Sequence, residues 1–223
     1  FYGLFLWLTS FGWLIFWGPI LVQSLLVLWI LHLMLRCHRL PSGPLPLAVL
    51  CTTLALVTGV SWYAGQLMPD ILVSLTVLAL WLLGCRWLQL ARGERAGLAV
   101  LALFGMLAHM SCLALAMGLA LVTVILRLVA AGRGWATEVR ILPAVAVVLA
   151  GLLLMPTLHR VLVGQGGMTP GGPVWVFGRL VQDGLARRWL DEHCPAANVR
   201  LCALRERLPT TADEFLWAET SPF

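Results

Sequence analysis

Between two long apolar runs the chain places Trp62-Tyr63-Ala64-Gly65-Gln66-Leu67-Met68-Pro69-Asp70, a segment that gathers an indole, a phenol, a carboxamide and a carboxylate. Asp70 is the only acidic residue before Glu94. A carboxylate near lipid is costly and is usually kept for ion pairing, recognition or proton transfer. Asp70 is therefore a candidate general base that removes a proton from an acceptor hydroxyl, with Trp62, Tyr63 and Gln66 as candidate substrate contacts. His109, in Ala108-His109-Met110-Ser111, is a second candidate, as a proton partner or as a hydrogen-bonding group for a lipid phosphate. Each residue also has a purely structural reading. Pro69-Asp70 suits a helix start, where acids are favoured by free amides and the helix dipole. His109 suits the closing of a turn or a bond to a neighbouring helix, and Trp62 and Tyr63 suit anchors at headgroup depth.

The elements that must hold these groups are set by hydropathy. With 61% apolar residues, 11% charged residues and a mean hydropathy of +0.92, the chain has too little polar surface to cover a soluble globule. An all-α, polytopic transmembrane bundle is expected. The formal charge of +5 comes entirely from arginine, with no lysine present. Those arginines sit at the edges of apolar runs rather than on one basic surface, which excludes nucleic-acid binding. Arginine without lysine, together with the Ala, Leu and Gly bias, associates the chain with a GC-rich bacterial genome. The sequence opens on Phe1 and stops at Ser221-Pro222-Phe223, and reads as an internal piece of a longer protein.

Spans are expected over about 19–35, opened by Gly18-Pro19, over 45–60, 71–88 and 141–163. Pro156 inside the last is expected to kink it. The aromatic cluster from Phe1 to Trp17 suits an interfacial or re-entrant segment, or the tail of an earlier span. The apolar stretch 96–126, about 31 residues, is long for one upright helix and short for two. Arginines decide between them: Arg36 and Arg39, then Arg86, Arg92 and Arg95, then Arg127, Arg133 and Arg140 form three clusters that the positive-inside rule places in the cytoplasm. The stretch must then enter and return on one side, as a hairpin of short helices, 96–109 and 110–126, turning near His109. Short paired helices of this kind call for other membrane segments or subunits around them.

The same rule sends 141–163 outward and makes 164–223 an extracytoplasmic polar tail. Cys194 and Cys202 are the only cysteines there, and a disulfide between them fits an oxidising compartment; two free thiols in a cytoplasmic tail are the alternative. Cys37, Cys51, Cys85 and Cys112 show no metal-ligand spacing and read as small core residues. The run from Gly164 to Pro173 reads as a hinge, or as a ligand-wrapping loop; no Lys-Ser/Thr follows to make it a phosphate loop. From Val174 to Glu192, Phe177, Val181, Leu185 and Trp189 recur at helical spacing, which predicts an amphipathic helix on the outer leaflet, weakened by Gly184. Arg187 and Arg188 on it are either contacts to lipid phosphate or a solvated face.

The order Trp62-Tyr63, Gly65 to Asp70, Ala108 to Ser111, Trp189-Leu190-Asp191-Glu192-His193-Cys194-Pro195 and Leu208-Pro209-Thr210 leading to Phe215-Leu216-Trp217 resembles a group of uncharacterised polytopic inner-membrane proteins of Gram-negative bacteria. In architecture, the paired short helices and outward tail are similar to the GT-C class of membrane glycosyltransferases. That likeness implies a polyprenyl-phosphate sugar donor and an acid in an extracytoplasmic loop that acts as base or binds metal. Asp70 is a candidate on its own chemistry rather than by transfer of that role. The expected function is sugar transfer at the extracytoplasmic face of the bacterial inner membrane, with membrane lipids as partners. A non-catalytic assembly protein and a transporter or lipid flippase are the alternatives. A transferase would need a second acid or a metal site, for which Asp183, Asp191 and Glu192 are the nearby candidates.

Overall fold

The computed structural model describes residues 1–133, 139–169, 171–197 and 199–221, and no strand occurs among them. The chain divides into two compact units, Phe1–Leu158 and His159–Phe223. In order, the helices are α1 (Tyr2–Thr9), α2 (Trp17–Cys37), α3 (Pro44–Val57), α4 (Val60–Gly65), α5 (Ile71–Cys85), α6 (Arg92–Ala108), α7 (Met110–Gly132), α8 (Ile141–Val163), α9 (Gly172–Gln182), α10 (Leu185–His193) and α11 (Ala212–Trp217). Two 3-10 segments, Trp87–Gln89 and Arg200–Arg207, complete them. Among the described residues three helices, α2, α7 and α8, are long and apolar enough to cross a membrane.

In the first unit, α5 is the hub. Nine of its fifteen residues are buried, among them Leu72, Leu75, Ala79, Leu82 and Leu83, so a helix apolar all round is what its position requires. It packs most extensively on α6 and next on α7 and α2. Small residues set these distances. A methyl at Gly105 of α6 would fall 2.0 Å from Thr76 Oγ1 on α5 and 3.4 Å from the Leu72 carbonyl oxygen. A methyl at Gly151 of α8 would meet the Met106 side chain of α6 at 2.8 Å. The α3 helix buries no residue and lies at the periphery.

Several expected boundaries shift for identifiable reasons. The stretch 45–60 breaks at Thr58, whose extended backbone ends α3 and whose Oγ1 accepts from the Val60 N–H at the start of α4. The 71–88 span ends at Cys85, and its last residues turn into the first 3-10 segment. The expected pair of short helices over 96–126 is unequal: α6 has 17 residues and α7 has 23, α7 alone being long enough to span. The α8 helix runs through Pro156 without interruption.

The arginine clusters gather at one end of the unit. Arg36, in the last turn of α2, makes a bidentate pair with Glu94 in the first turn of α6, with Nη1···Oε1 at 2.7 Å. Arg95 lies 4.5 Å over the Trp87 ring, and the Arg140 N–H donates to the Gly84 carbonyl at 2.7 Å. The guanidinium of Arg36 holds the Glu94 carboxyl below its ordinary range.

In the second unit, α9, α10, the Arg200–Arg207 segment and α11 close around Val181, Ala186, Leu190, Leu208 and Phe215. Gly178 of α9 is buried facing Phe215 and Leu216 of α11, and the rings of Phe177 and Phe215 lie 5.3 Å apart. The single amphipathic helix expected over 174–192 is instead two helices, because Gly184 takes a left-handed φ of 72° between them. The break changes which residues are buried: Ala186 and Leu190 enter the core, whereas Leu185 and Trp189 of the expected stripe are exposed. The α9 helix also starts inside the expected hinge, at Gly172, and Pro170 of that run lies outside the described residues.

Candidate functional site

The Asp70 loop and the His109 turn meet at the end of the first unit. Asp70 is the N-cap residue of α5, yet its side chain makes no capping hydrogen bond. Its Oδ1 lies 3.7 Å from His109 Nε2 instead. His109 is the one extended residue between α6 and α7, and its side chain caps α7: Nδ1 accepts from the Ser111 N–H at 3.3 Å and stands 2.5 Å from Ser111 Oγ. A backbone N–H can only donate, so in the neutral ring Nδ1 is the bare nitrogen and Nε2 carries the proton. That Nε2–H faces the carboxylate. At 3.7 Å the contact is longer than a direct hydrogen bond, and the N–H dipole faces the carboxylate.

Asp70 also forms part of the wall of an open groove of about 480 Å³, with Gly59, Val60, Tyr63, Ile71, Val73 and Ser74. The groove therefore combines apolar wall, the α4 phenol ring and a carboxylate. Trp62 and Tyr63 both project outward and are exposed, and Gln66 is half-buried. Of the expected substrate contacts, only Tyr63 lines the groove beside Asp70.

A residue that sequence reasoning passed over organises this end. Gln23, on α2, is 0% exposed. With its amide oriented toward the two carbonyls it meets, Nε2 donates to the carbonyl oxygens of Ala64 (3.2 Å) and Gln66 (3.1 Å), while Oε1 accepts from the Tyr2 hydroxyl at 2.8 Å. This orientation satisfies every polar atom of the amide, as burial demands. Gln23 thus ties α1 and α2 to the loop that leads into Asp70. The available signal was a lone carboxamide inside an uncharged run, which in an apolar helix calls for a polar partner. Gly18 supports the same corner: a methyl there would fall 1.9 Å from the Thr9 carbonyl oxygen, so only glycine lets α1 fold back on the start of α2.

The remaining candidates belong to the second unit. Arg187 and Arg188 are exposed on α10, and Arg187 borders a small groove of about 180 Å³ with Gln182, Gly184, Leu208 and Thr210. Asp183 pairs with Arg179 at 3.1 Å and Asp191 with Arg205 at 3.6 Å. A disulfide joins Cys194, at the end of α10, to Cys202 in the 3-10 segment. Cys37 and Cys112 are buried core residues, with Cys51 and Cys85 half-buried. Among the described residues no three His, Cys, Asp or Glu side chains are grouped to hold a metal ion. No family model, curated protein or solved structure matches this chain.

Proposed function

We propose that the chain is an integral protein of the bacterial inner membrane whose Asp70–His109 end faces away from the cytoplasm and carries a group-transfer site. The observation that supports this reading is that Asp70, placed where an acid ordinarily caps a helix, leaves that role unfilled and turns its carboxylate to His109 beside an open groove. In the proposed reaction an acceptor hydroxyl enters the groove and gives its proton to Asp70. The acceptor oxygen forms its bond to the anomeric carbon of a sugar, and the bond from that carbon to phosphate oxygen breaks. Polyprenyl phosphate departs with the electron pair. The Nε2–H of His109 steadies the negative carboxylate electrostatically, and the proton that Asp70 takes up leaves to water through the open groove, the Asp70 side chain being 45% exposed. Arg187 and Arg188 are the residues proposed to meet an anionic lipid headgroup. The outward direction follows from the arginine clusters at the opposite end of the unit, which the positive-inside rule retains in the cytoplasm.

Asp70→Asn tests the proposal, because asparagine is equally suited to a helix start and cannot act as a base. The purified chain in nanodiscs is supplied with a polyprenyl-phosphate sugar and an alkyl glycoside acceptor, and transfer is followed by mass spectrometry. A loss of roughly 100-fold or more in the variant, with thermal unfolding unchanged, supports the base role. Full transfer by Asp70→Asn refutes it. No transfer by the parent chain, and no polyprenyl lipid co-purifying with it, would favour the non-catalytic assembly reading.

A further inference from the structure

The second unit carries an apolar face that its own core does not use. On α9, Val174, Phe177, Gly178 and Val181 turn inward, and Trp175, Val176 and Leu180 turn outward with Arg179. Trp175 is 49% exposed, Val176 62% and, on the neighbouring α11, Trp217 67%. The two indoles contact each other edge-on, with ring centroids 5.6 Å apart. They form a surface pair, since burial against the unit would leave neither so open. We propose that this face, centred on Trp175, Val176 and Trp217, docks on the interfacial layer of a phospholipid bilayer.

Three observations select lipid as the occupant. Indole rings with an apolar body and one N–H donor settle at headgroup depth, and two of them here flank aliphatic side chains that would reach the upper acyl chains. Arg179 on the same helix face can bind lipid phosphate while its stem lies on apolar surface. Chain connectivity keeps the unit at a bilayer: Gly172, the first residue of α9, follows Val163, the last residue of the span-length helix α8, by nine positions. A soluble partner would have to compete with a lipid surface always within reach. Asp213, one turn from Trp217 on α11, and the Arg179–Asp183 pair leave the face without a strong positive excess. Zwitterionic lipid is therefore sufficient, and the attachment is carried by apolar and indole contacts rather than by anionic headgroups. The face differs from the one expected of a continuous 174–192 helix, because the turn at Gly184 separates α9 from Leu185 and Trp189. This inference rests on the membrane reading of α8.

The test places a benzophenone amino acid at position 176, in place of Val176, in the full chain reconstituted in phosphatidylcholine nanodiscs. A second variant carries it in place of Glu206, an exposed residue of the 3-10 segment that packs on α10. After irradiation and proteolysis, peptides are searched for the mass of one phospholipid. Lipid adducts at 176 and not at 206, lost from 176 when Trp175 and Trp217 are both changed to Ser, are expected. Retention of the chain in vesicles through alkaline carbonate, with no lipid adduct at 176 or with peptide cross-links there instead, overturns the docking face alone. Release of the chain by carbonate overturns the membrane reading beneath it.

Discussion

Replacing Gly105 by alanine should loosen the seam on which the candidate site depends. The added methyl would stand 2.0 Å from Thr76 Oγ1 and 3.4 Å from the Leu72 carbonyl oxygen. The hydroxyl can leave only by rotating Thr76, a β-branched side chain with few rotamers in a helix, whereas the distance to the carbonyl is an ordinary contact. Either Thr76 takes a strained rotamer or the α5–α6 seam opens, at a cost of about 1–3 kcal/mol for an overpacked core. At roughly 2–4 °C per kcal/mol for a chain of this size, thermal unfolding followed by circular dichroism in mild detergent should fall by about 2–12 °C. Thr76→Ala alone removes a buried hydroxyl and a methyl and should cost about 1 kcal/mol. In the double variant the methyl added at position 105 occupies the space that the Thr76 side chain vacates, so the two changes should compensate each other, with a coupling of about 1–3 kcal/mol. The seam also sets the distance between Asp70, six residues before Thr76, and His109, four residues after Gly105, so site function should fall in Gly105→Ala and recover in the pair. A Gly105→Ala chain as stable as the parent, or strict additivity in the double variant, would refute this account of the packing.

Gln23→Leu fills the same volume but leaves the carbonyls of Ala64 and Gln66 without their donor; an equilibrium unfolding titration should show a loss of about 1–3 kcal/mol, and a neutral result would mean that these carbonyls find other partners. His109→Ala removes the cap on α7 and should cost about 1 kcal/mol, whereas His109→Asn should restore most of that stability without restoring the imidazole N–H that faces Asp70. The Arg36–Glu94 pair gives stability an acid dependence: because the folded Glu94 carboxyl is held low, its contribution is complete above the unfolded value near 4.3 and disappears as pH falls through the folded value. Melting temperatures followed from pH 7 downward should drop less steeply in that acid range for Glu94→Gln than for the parent chain.

Much of the helical framework was legible because apolar runs of membrane length leave few other structures open. The boundaries that moved were decided by single residues whose effect depends on conformation. Thr58 could have continued a helix, but its hydroxyl caps the next one. Gly184 could have been a weak point within one helix, but a positive φ makes it a corner and exchanges the buried face of everything after it. Asp70 and His109 stood out individually because polar groups are conspicuous against an apolar background. Their approach to 3.7 Å was not legible, since it results from how closely α6 lies on α5, and that is set by the missing side chain of Gly105. Gln23 was overlooked for the opposite reason: an uncharged amide barely lowers the hydropathy of a long run, and its importance appears only once Tyr2 and the Ala64–Gln66 backbone close around it.

The joint at His109 has a mechanical consequence. One residue separates α6 from α7, and it supplies the cap of the second helix itself, so no slack exists between them. An α-helix advances about 100° per residue, which means that inserting or deleting one residue in the first turn of α7 would rotate the rest of that helix by roughly a quarter-turn or more. Cys112, Leu113 and Ala116 would swing out of the core, and side chains shaped for the outside would swing in. The two helices behave as meshed gears on α5, and their phase must be kept residue by residue for this end of the molecule to exist.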